Sequence, residues 1–437
     1  MTTQLPARVR RGYALGSVAT GTFGTVPGLL LLPYLTDTIG IGTAMAGVLV
    51  FAPKAWDVVL NPIAGRISDR SRHPGGRRRP FLVRAGLTLA VLFAVMFAGP
   101  ADPQALGAAW VAVAFLGCAS AYAFFQVPYV AMPAELTLDY GERTRLMTWR
   151  VVVLALAILV SGATAPIVVD EFGHAAMGAY VGVIIAIGVL GSWWGTRGAP
   201  DHPGETATGT FSDQLRLVGA NPDFRAVLLT FVVQAAAIGT VLAGVAYVAD
   251  HLLDSAAANT LLFVAFVGPA LLVTPLWERY AATRGKRSGY VFATGFLIAG
   301  MVALLSAHAG WVAVTYVAAA LVGIGYAGAQ VFPMAMLPDV AADDARRSGA
   351  NRVGVFTGVW TAGETLGLAL GPGILALALT AGGYVSSTGG ETVTQPDSAR
   401  LAIALGFSLV PATLTVLSLV LLRGYRLDDR LRSADVA

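Results

Sequence analysis

Charged side chains are scarce in this 437-residue chain: Asp, Glu, Lys and Arg together make up 12% of it, about half the share found in an ordinary soluble domain. With 56% hydrophobic residues and a mean hydropathy of +0.69, that scarcity excludes a water-soluble globular protein. Cysteine is nearly absent. Cys118 is the single one, so no intrachain disulfide can form, and it says nothing about redox compartment. The five histidines, His73, His174, His202, His251 and His308, are too scattered to give metal-ligand spacing. No Ser or Cys with a partnered His, and no His-Glu metal motif, lies inside an apolar stretch. This argues against an intramembrane hydrolase, and neither enzymatic activity nor a cofactor is expected.

Long apolar runs are what the chain does have. A hydrocarbon core about 30 Å thick requires about 20 mainly apolar residues of helix, and such stretches recur almost without interruption. Twelve are read, near 13–37, 43–67, 80–99, 105–131, 147–169, 175–196, 224–249, 256–278, 289–307, 311–337, 352–380 and 400–422. Basic residues test the count, because Lys and Arg near span ends are retained on the cytoplasmic side. Twelve spans with both termini cytoplasmic put all but two of the 29 basic residues on that side. The exceptions are Arg400 and Lys54, the latter inside span 2. The net charge of +4 therefore follows topology, and nucleic-acid binding is not expected. The polar start, Met1 to Arg11, leads into a run too long for a signal-peptide core, so span 1 is expected to persist as a membrane helix.

The two halves echo each other. Asp69-Arg70 and Gly76-Arg77-Arg78 follow span 2, and Glu278-Arg279 and Gly285-Lys286-Arg287 follow span 8 at a constant offset of 209. Pro128 and Pro133 close span 4 with the spacing that Pro333 and Pro338 repeat in span 10. The predicted organisation is a six-helix bundle over 1–196, a cytoplasmic linker over 197–223 with no room for a soluble domain, and a second six-helix bundle with a short tail over 224–437.

The stretch Lys54-Ala-Trp-Asp57-Val-Val-Leu-Asn61-Pro62, continuing to Gly65, Asp69-Arg70 and Gly76-Arg77-Arg78-Arg79-Pro80, resembles the glycoside-pentoside-hexuronide cation symporters of the major facilitator superfamily. Gln126-Val-Pro128-Tyr129 to Pro133, with Leu138-Asp139 and Glu142-Arg143, is similar to that family's fourth helix and the loop after it. The resemblance implies an all-helical fold of two pseudo-symmetric six-helix bundles and cation-coupled sugar transport by alternating access. It also marks departures. Sodium-coupled members typically carry a second span-2 carboxylate where this chain has Asn61, and an acidic residue where it has Gln126. A sugar-contacting Asp of span 1 falls near Gly21 or Thr22, and a span-11 Lys near Thr365.

Buried charge is the strongest functional signal, because a charge near the bilayer centre costs roughly 2.5 to 3.5 kcal/mol on insertion scales. Lys54 and Asp57, three residues apart, share a helix face and can pair. Glu364 lies mid-span in Gly363-Glu364-Thr365. If the three face one cavity, one carboxylate lacks an internal counterion and can take a proton or a metal cation. Asp57, Lys54, Asn61 and Glu364 are therefore the candidate coupling residues. Proton coupling needs only one acid, while Asn61, Gln126 and Thr365 keep sodium open, and an uncoupled carrier is the remaining alternative. Candidate solute contacts are Gln126, Tyr129, Tyr34, Trp149, Gln234, Gln330, Trp360 and Thr365, polar or aromatic groups able to bind hydroxyls or stack on a sugar ring. Arg150 and Arg352, at span starts, read as headgroup or loop partners. Asp69, Arg70, Arg77, Arg78, Glu142 and Arg143 read as a cytoplasmic gate, against a plain inside-positive anchor.

The expectation is a multi-pass protein of the cytoplasmic membrane, functional as a monomer in its lipid bilayer, that moves a small-molecule solute with H+ or Na+. Export of a less polar metabolite, lysolipid or drug-like solute is the nearest alternative, and a non-transporting sensor is the alternative from another class.

Overall fold

The computed structural model of the chain describes residues 5–69, 71, 73, 76, 78–137, 140–199, 213, 216, 219–348, 353–388 and 393–427. Apolar runs of this length become helices because a bilayer offers no water to backbone N–H and C=O groups, which a helix satisfies internally. They are α1 Ala7–Pro33, extended by a wide turn over Tyr34–Thr38, α2 Thr43–Asp69, α3 Arg79–Met96 and α4 Gln104–Leu136. After them comes a helical stretch, Tyr140–Thr196, whose backbone leaves the helical region at Gly173. The second half follows with α7 Pro222–His251, α8 Ala256–Arg284, α9 Lys286–Ala303, α10 Val312–Ser348 and α11 Val353–Ala381. The last, α12 Asp397–Leu422, is interrupted at Ser408.

Eleven of these are long and apolar enough to cross a membrane, and one of the eleven, Trp149–Thr196, has 48 residues. At about 1.5 Å per residue it is more than twice the length a single crossing needs. Gly173, at φ 82° and ψ 172°, leaves the helical region in a direction only glycine adopts without strain. Thr164 and Tyr180, on its two sides, are hydrogen-bonded at 2.9 Å. A straight helix would hold residues so spaced about 24 Å apart, so the chain reverses at Gly173 and the run is two crossings, α5 before it and α6 after it. Among the described residues the fold is all-helical with twelve crossings.

By internal contacts the chain forms two compact units. The first comprises Met1–Ile41, Val48–Thr206 and Ser386–Thr392, and the second Gly42–Gly47, Ala207–Val385 and Val393–Ala437. Most of the 197–223 linker lies outside the described residues. Both proline pairs sit inside their helices, Pro128 and Pro133 in α4 and Pro333 and Pro338 in α10. Helix α7 starts where Asn221 accepts the Phe224 N–H, a side-chain cap reinforced by Pro222 at the first position.

Glycine allows close backbone contacts between helices in both units. In the first, a Cβ on Gly12 of α1 would lie 2.3 Å from the Cα of Gly195 in α6; in the second, one on Gly371 of α11 would lie 2.2 Å from the carbonyl carbon of Gly239 in α7. The obstacle is backbone, so a methyl group cannot be accommodated by moving a side chain. Gly12→Ala and Gly371→Ala are each expected to destabilise the purified protein by about 1–3 kcal/mol, read as a lower melting temperature in detergent. Gly24→Ala, which meets nothing within 4 Å, is expected to leave melting unchanged.

Candidate functional site

Lys54, Asp57 and Asn61 lie on one stripe of α2, at i, i+3 and i+7, so all three are presented in the same direction. Asp57 is 1% exposed, and neither of its carboxylate oxygens has a hydrogen-bond partner; the Oδ1 of Asn61 is likewise buried and unpartnered. Lys54 does not bond Asp57 directly: neither oxygen of the carboxylate has a hydrogen-bond partner. The Lys54 Nζ lies 4.6 Å from the centroid of the Phe23 ring of α1, and 5.9 Å from the rings of Phe115 and Tyr122 of α4. Helical side chains lean toward the N-terminus, which carries the long Lys54 stem away from a partner one turn C-terminal. Three π faces receive the ammonium instead. The rings also pack on one another, Phe23 against Tyr122 at 4.6 Å and against Phe115 at 6.4 Å.

The other candidates in the first unit divide by use. Tyr129 is fully buried and stacks on Tyr13 at 4.7 Å. Its hydroxyl donates to the Tyr13 carbonyl at 2.8 Å, lies 2.8 Å from Ser17 Oγ, and its ring fills the space above Gly16. It is a tie between α1 and α4 in this arrangement, with its hydroxyl already engaged. Arg150 is placed with its guanidinium carbon 5.7 Å from the Tyr129 ring, rather than among headgroups. Tyr34 donates to the Phe97 carbonyl at 3.4 Å and packs on Phe97 and His174. Trp149 is 47% exposed, and Gln126 is half-buried in α4.

Of the gate residues, Arg78 is buried and donates to Ser68 Oγ at 3.4 Å. Arg70 and Arg77, the side chains of Asp69, Glu142 and Arg143, and Arg352 lie outside the described residues. The matching basic motif of the second half is described: the Lys286 ammonium bonds Asp339 Oδ2 and the Ala335 carbonyl, joining α9 to α10.

In the second unit three candidates come together. Gln234 of α7, Gln330 of α10 and Glu364 of α11 line one small pocket with Phe231, Tyr326 and Leu368. Gln330 donates to the Tyr326 hydroxyl at 2.8 Å. Trp360, one turn before Glu364, stacks on Phe231 at 4.4 Å, and its indole N–H is buried without a partner. Thr365 spends its hydroxyl on the Thr361 carbonyl of its own helix. Asp57 and Glu364 thus belong to different units. Sequence reading did not single out Phe23, Phe115 and Tyr122, which look like any lipid-facing aromatics. It also passed over Tyr326, for which the spacing of four to Gln330 was the available sign.

A membrane-embedded bundle of paired six-helix halves, with ionisable groups buried in its spans, defines a multi-pass transporter. The chain belongs to the family of MFS/sugar transport proteins, whose model matches residues 12–429. It is a member of the superfamily's glycoside-pentoside-hexuronide-like cation symporters. Among its relatives, the putative glycoside/cation symporter YagG of Escherichia coli is 26% identical, over 98% of this chain and 93% of its own. An uncharacterized symporter of Synechocystis is 25% identical over 94% and 92%. The mouse sodium-dependent lysophosphatidylcholine symporter 1 is 23% identical over 96% and 85%. Among solved structures, the nucleoside transporter NupG matches with a TM-score of 0.66 at 11% identity, over 95% of this chain and 99% of its own. A bacterial homologue of the lysosomal transporter Spinster matches with 0.62 at 14%, over 97% and 96%. These are transporters, not enzymes, and the structural matches support the fold alone.

The aromatic box makes a direct prediction. If the Phe23 ring holds the Lys54 charge, Phe23→Leu and Lys54→Met are not additive, and a double-mutant cycle on melting in detergent gives a coupling of about 0.5–2 kcal/mol. Additive losses would place the ammonium elsewhere.

Proposed function

We propose that the protein is a secondary active symporter of the cytoplasmic membrane that moves a sugar or glycoside by alternating access of its two six-helix halves, 1–196 and 224–437. Both termini are cytoplasmic and the monomer is the working unit. Asp57 carries the coupling ion, Asn61 assists it, and Lys54 sets the local potential. The observation that carries this reading is a pair of carboxylate oxygens and an amide oxygen, all buried and unpartnered on one stripe of α2, beside a lysine whose charge is held by aromatic rings. A polar group left so inside a span is expensive, and binding a cation repays that expense.

A proton is the ion this geometry favours. One proton neutralises Asp57 and needs no other ligand, whereas a hard metal cation gathers about six oxygens or more, beyond what Asp57 and Asn61 supply. The cytoplasmic latch in this reading consists of Asp69, Arg70, Arg77, Arg78, Glu142 and Arg143. It draws support from Lys286, the counterpart of Arg77, which is ion-paired to Asp339 in the other half. In vesicles, glycoside-driven proton movement is expected in the native protein, independent of sodium, and absent in Asp57→Asn. Proton movement unchanged by that substitution would defeat the assignment.

A second reading, a less polar solute such as a lysolipid, has its own support. The second unit contains a small pocket whose described lining is wholly apolar, including Val245, Leu262, Phe263, Phe266 and Phe407, and one relative is named for lysophosphatidylcholine. A binding competition separates the two: sugars displace a bound probe under the first reading, and only amphiphiles displace it under the second.

A further inference from the structure

Helix α1 begins with its charges at the end where a helix least favours them. Arg8, Arg10 and Arg11 lie within its first two turns, at the positive pole of the backbone dipole, where anions are stabilising and cations are not. The residue before the helix is Pro6, which makes no side-chain cap, and the first turn holds no acid. No Asp or Glu precedes Asp37 in the sequence, and none lies in α6 between Glu171 and Asp201. The Val9 and Arg10 N–H groups turn back to the Pro6 carbonyl. Those of Ala7 and Arg8 have no acceptor inside the helix, and both residues are exposed.

The three guanidinium groups are placed differently. Arg10 donates to the Leu5 carbonyl at 2.9 Å, whereas Arg8 and Arg11 are exposed. Arg8 reaches across to α6, donating to the Trp194 carbonyl at 2.7 Å and lying 4.3 Å from the centroid of the Trp194 ring. That contact fixes the guanidinium and uses one of its five N–H donors. Neither Arg8 nor Arg11 is ion-paired among the described residues.

An apolar track continues from these charges into the membrane span. Arg8, Arg11 and Leu15 succeed one another at helical spacing on α1, and Leu15 is exposed. Ile187, Leu190 and Trp194 do the same on α6, with Trp194 60% exposed. The two tracks adjoin, because a Cβ on Gly191 would meet the Leu15 side chain at 2.7 Å and one on Gly195 the Arg8 carbonyl oxygen at 3.1 Å. A free phosphate ion would engage the charges alone, while a phosphate carrying acyl chains engages the charges and the track together.

We propose that this edge of the first unit binds an anionic phospholipid. Its phosphate is held by Arg8, Arg11 and the exposed N–H groups at the start of α1, and its chains lie on Leu15, Ile187 and Leu190. In the orientation proposed above the lipid belongs to the cytoplasmic leaflet. The site itself depends neither on that orientation nor on the transported solute.

Lipid binding to the purified, detergent-solubilised protein tests it, read by native mass spectrometry and by thermal stabilisation. The probes are dioleoylphosphatidylglycerol, dioleoylphosphatidylcholine and inorganic phosphate. The native protein is expected to bind phosphatidylglycerol about 10-fold more tightly than phosphatidylcholine, the scale of two basic residues at an anionic headgroup, and to gain no thermal stability from inorganic phosphate. The double variant Arg8→Gln, Arg11→Gln is expected to bind the two lipids alike. Arg423→Gln, which removes another exposed cation at the end of the last helix, is expected to keep the preference and so separates a site from general attraction by the basic rim. If the double variant does not fold, Arg11→Gln decides, with an expected loss of about threefold in the preference. Equal binding of both lipids by the native protein overturns the proposal. So does a preference that survives the arginine substitutions, an equal loss in Arg423→Gln, or stabilisation by inorganic phosphate equal to that by phosphatidylglycerol.

Discussion

The structure depends on one constraint: inside the hydrocarbon layer a polar atom must find its partner within the protein. The helices meet it for the backbone, and the small polar side chains meet it by bonding back along their own helix. Thr164, Thr196, Thr230, Thr240, Thr294, Thr365, Thr380 and Thr415 each donate to the carbonyl four residues earlier. Against that background the exceptions carry information. Both oxygens of Asp57, the Oδ1 of Asn61 and the Oε1 of Gln234 are among the buried atoms left unpartnered, as are the Thr22 and Ser192 hydroxyls; Asp57 stands apart from the rest as a carboxylate with neither oxygen hydrogen-bonded.

The surroundings of Asp57 and of Gln234 are built on different principles. In the first unit a charge is kept available by diverting its natural counterion onto rings, so that the carboxylate is close to a cation but not bonded to it. The second unit uses no diversion. An amide is held by two hydroxyls, Thr294 and Ser418, each of which also bonds a backbone carbonyl of its own helix. Tyr129 illustrates a third case, in which an aromatic of the right type at the right place is consumed by packing, its hydroxyl tied to Tyr13 and Ser17.

The fold was legible in the sequence because its cause is one-dimensional. Hydrophobic length and the sidedness of Lys and Arg are properties of the chain read in order, and they yielded twelve crossings even where the helix assignment runs unbroken through Gly173. Asp57, Asn61, Glu364 and the pocket residues Gln234 and Gln330 were legible for a related reason, since a polar residue in an apolar run is conspicuous. The aromatic box was not. Phe23, Phe115 and Tyr122 come from two helices, and nothing in their local sequence distinguishes a ring that meets a cation from one that meets lipid. Whether Lys54 bonds Asp57 was open on the same ground: spacing of three residues places two Cβ atoms on one face, but the lean of the side chains and the neighbouring helices decide where the ammonium ends up.

That last feature bears on how the protein comes into being. The rings that hold Lys54 belong to α1 and α4, so α2 by itself has nothing to keep its ammonium from its carboxylate. As a lone segment it can enter the bilayer as an internally compensated, neutral pair, the cheapest form in which two ionisable groups can cross. With α1 and α4 packed around it, the ammonium lies over their rings and the carboxylate has no hydrogen-bond partner. The functional polarisation of α2 is thus a product of assembly: the same residues that make the helix insertable become, once packed, the ones that make it responsive.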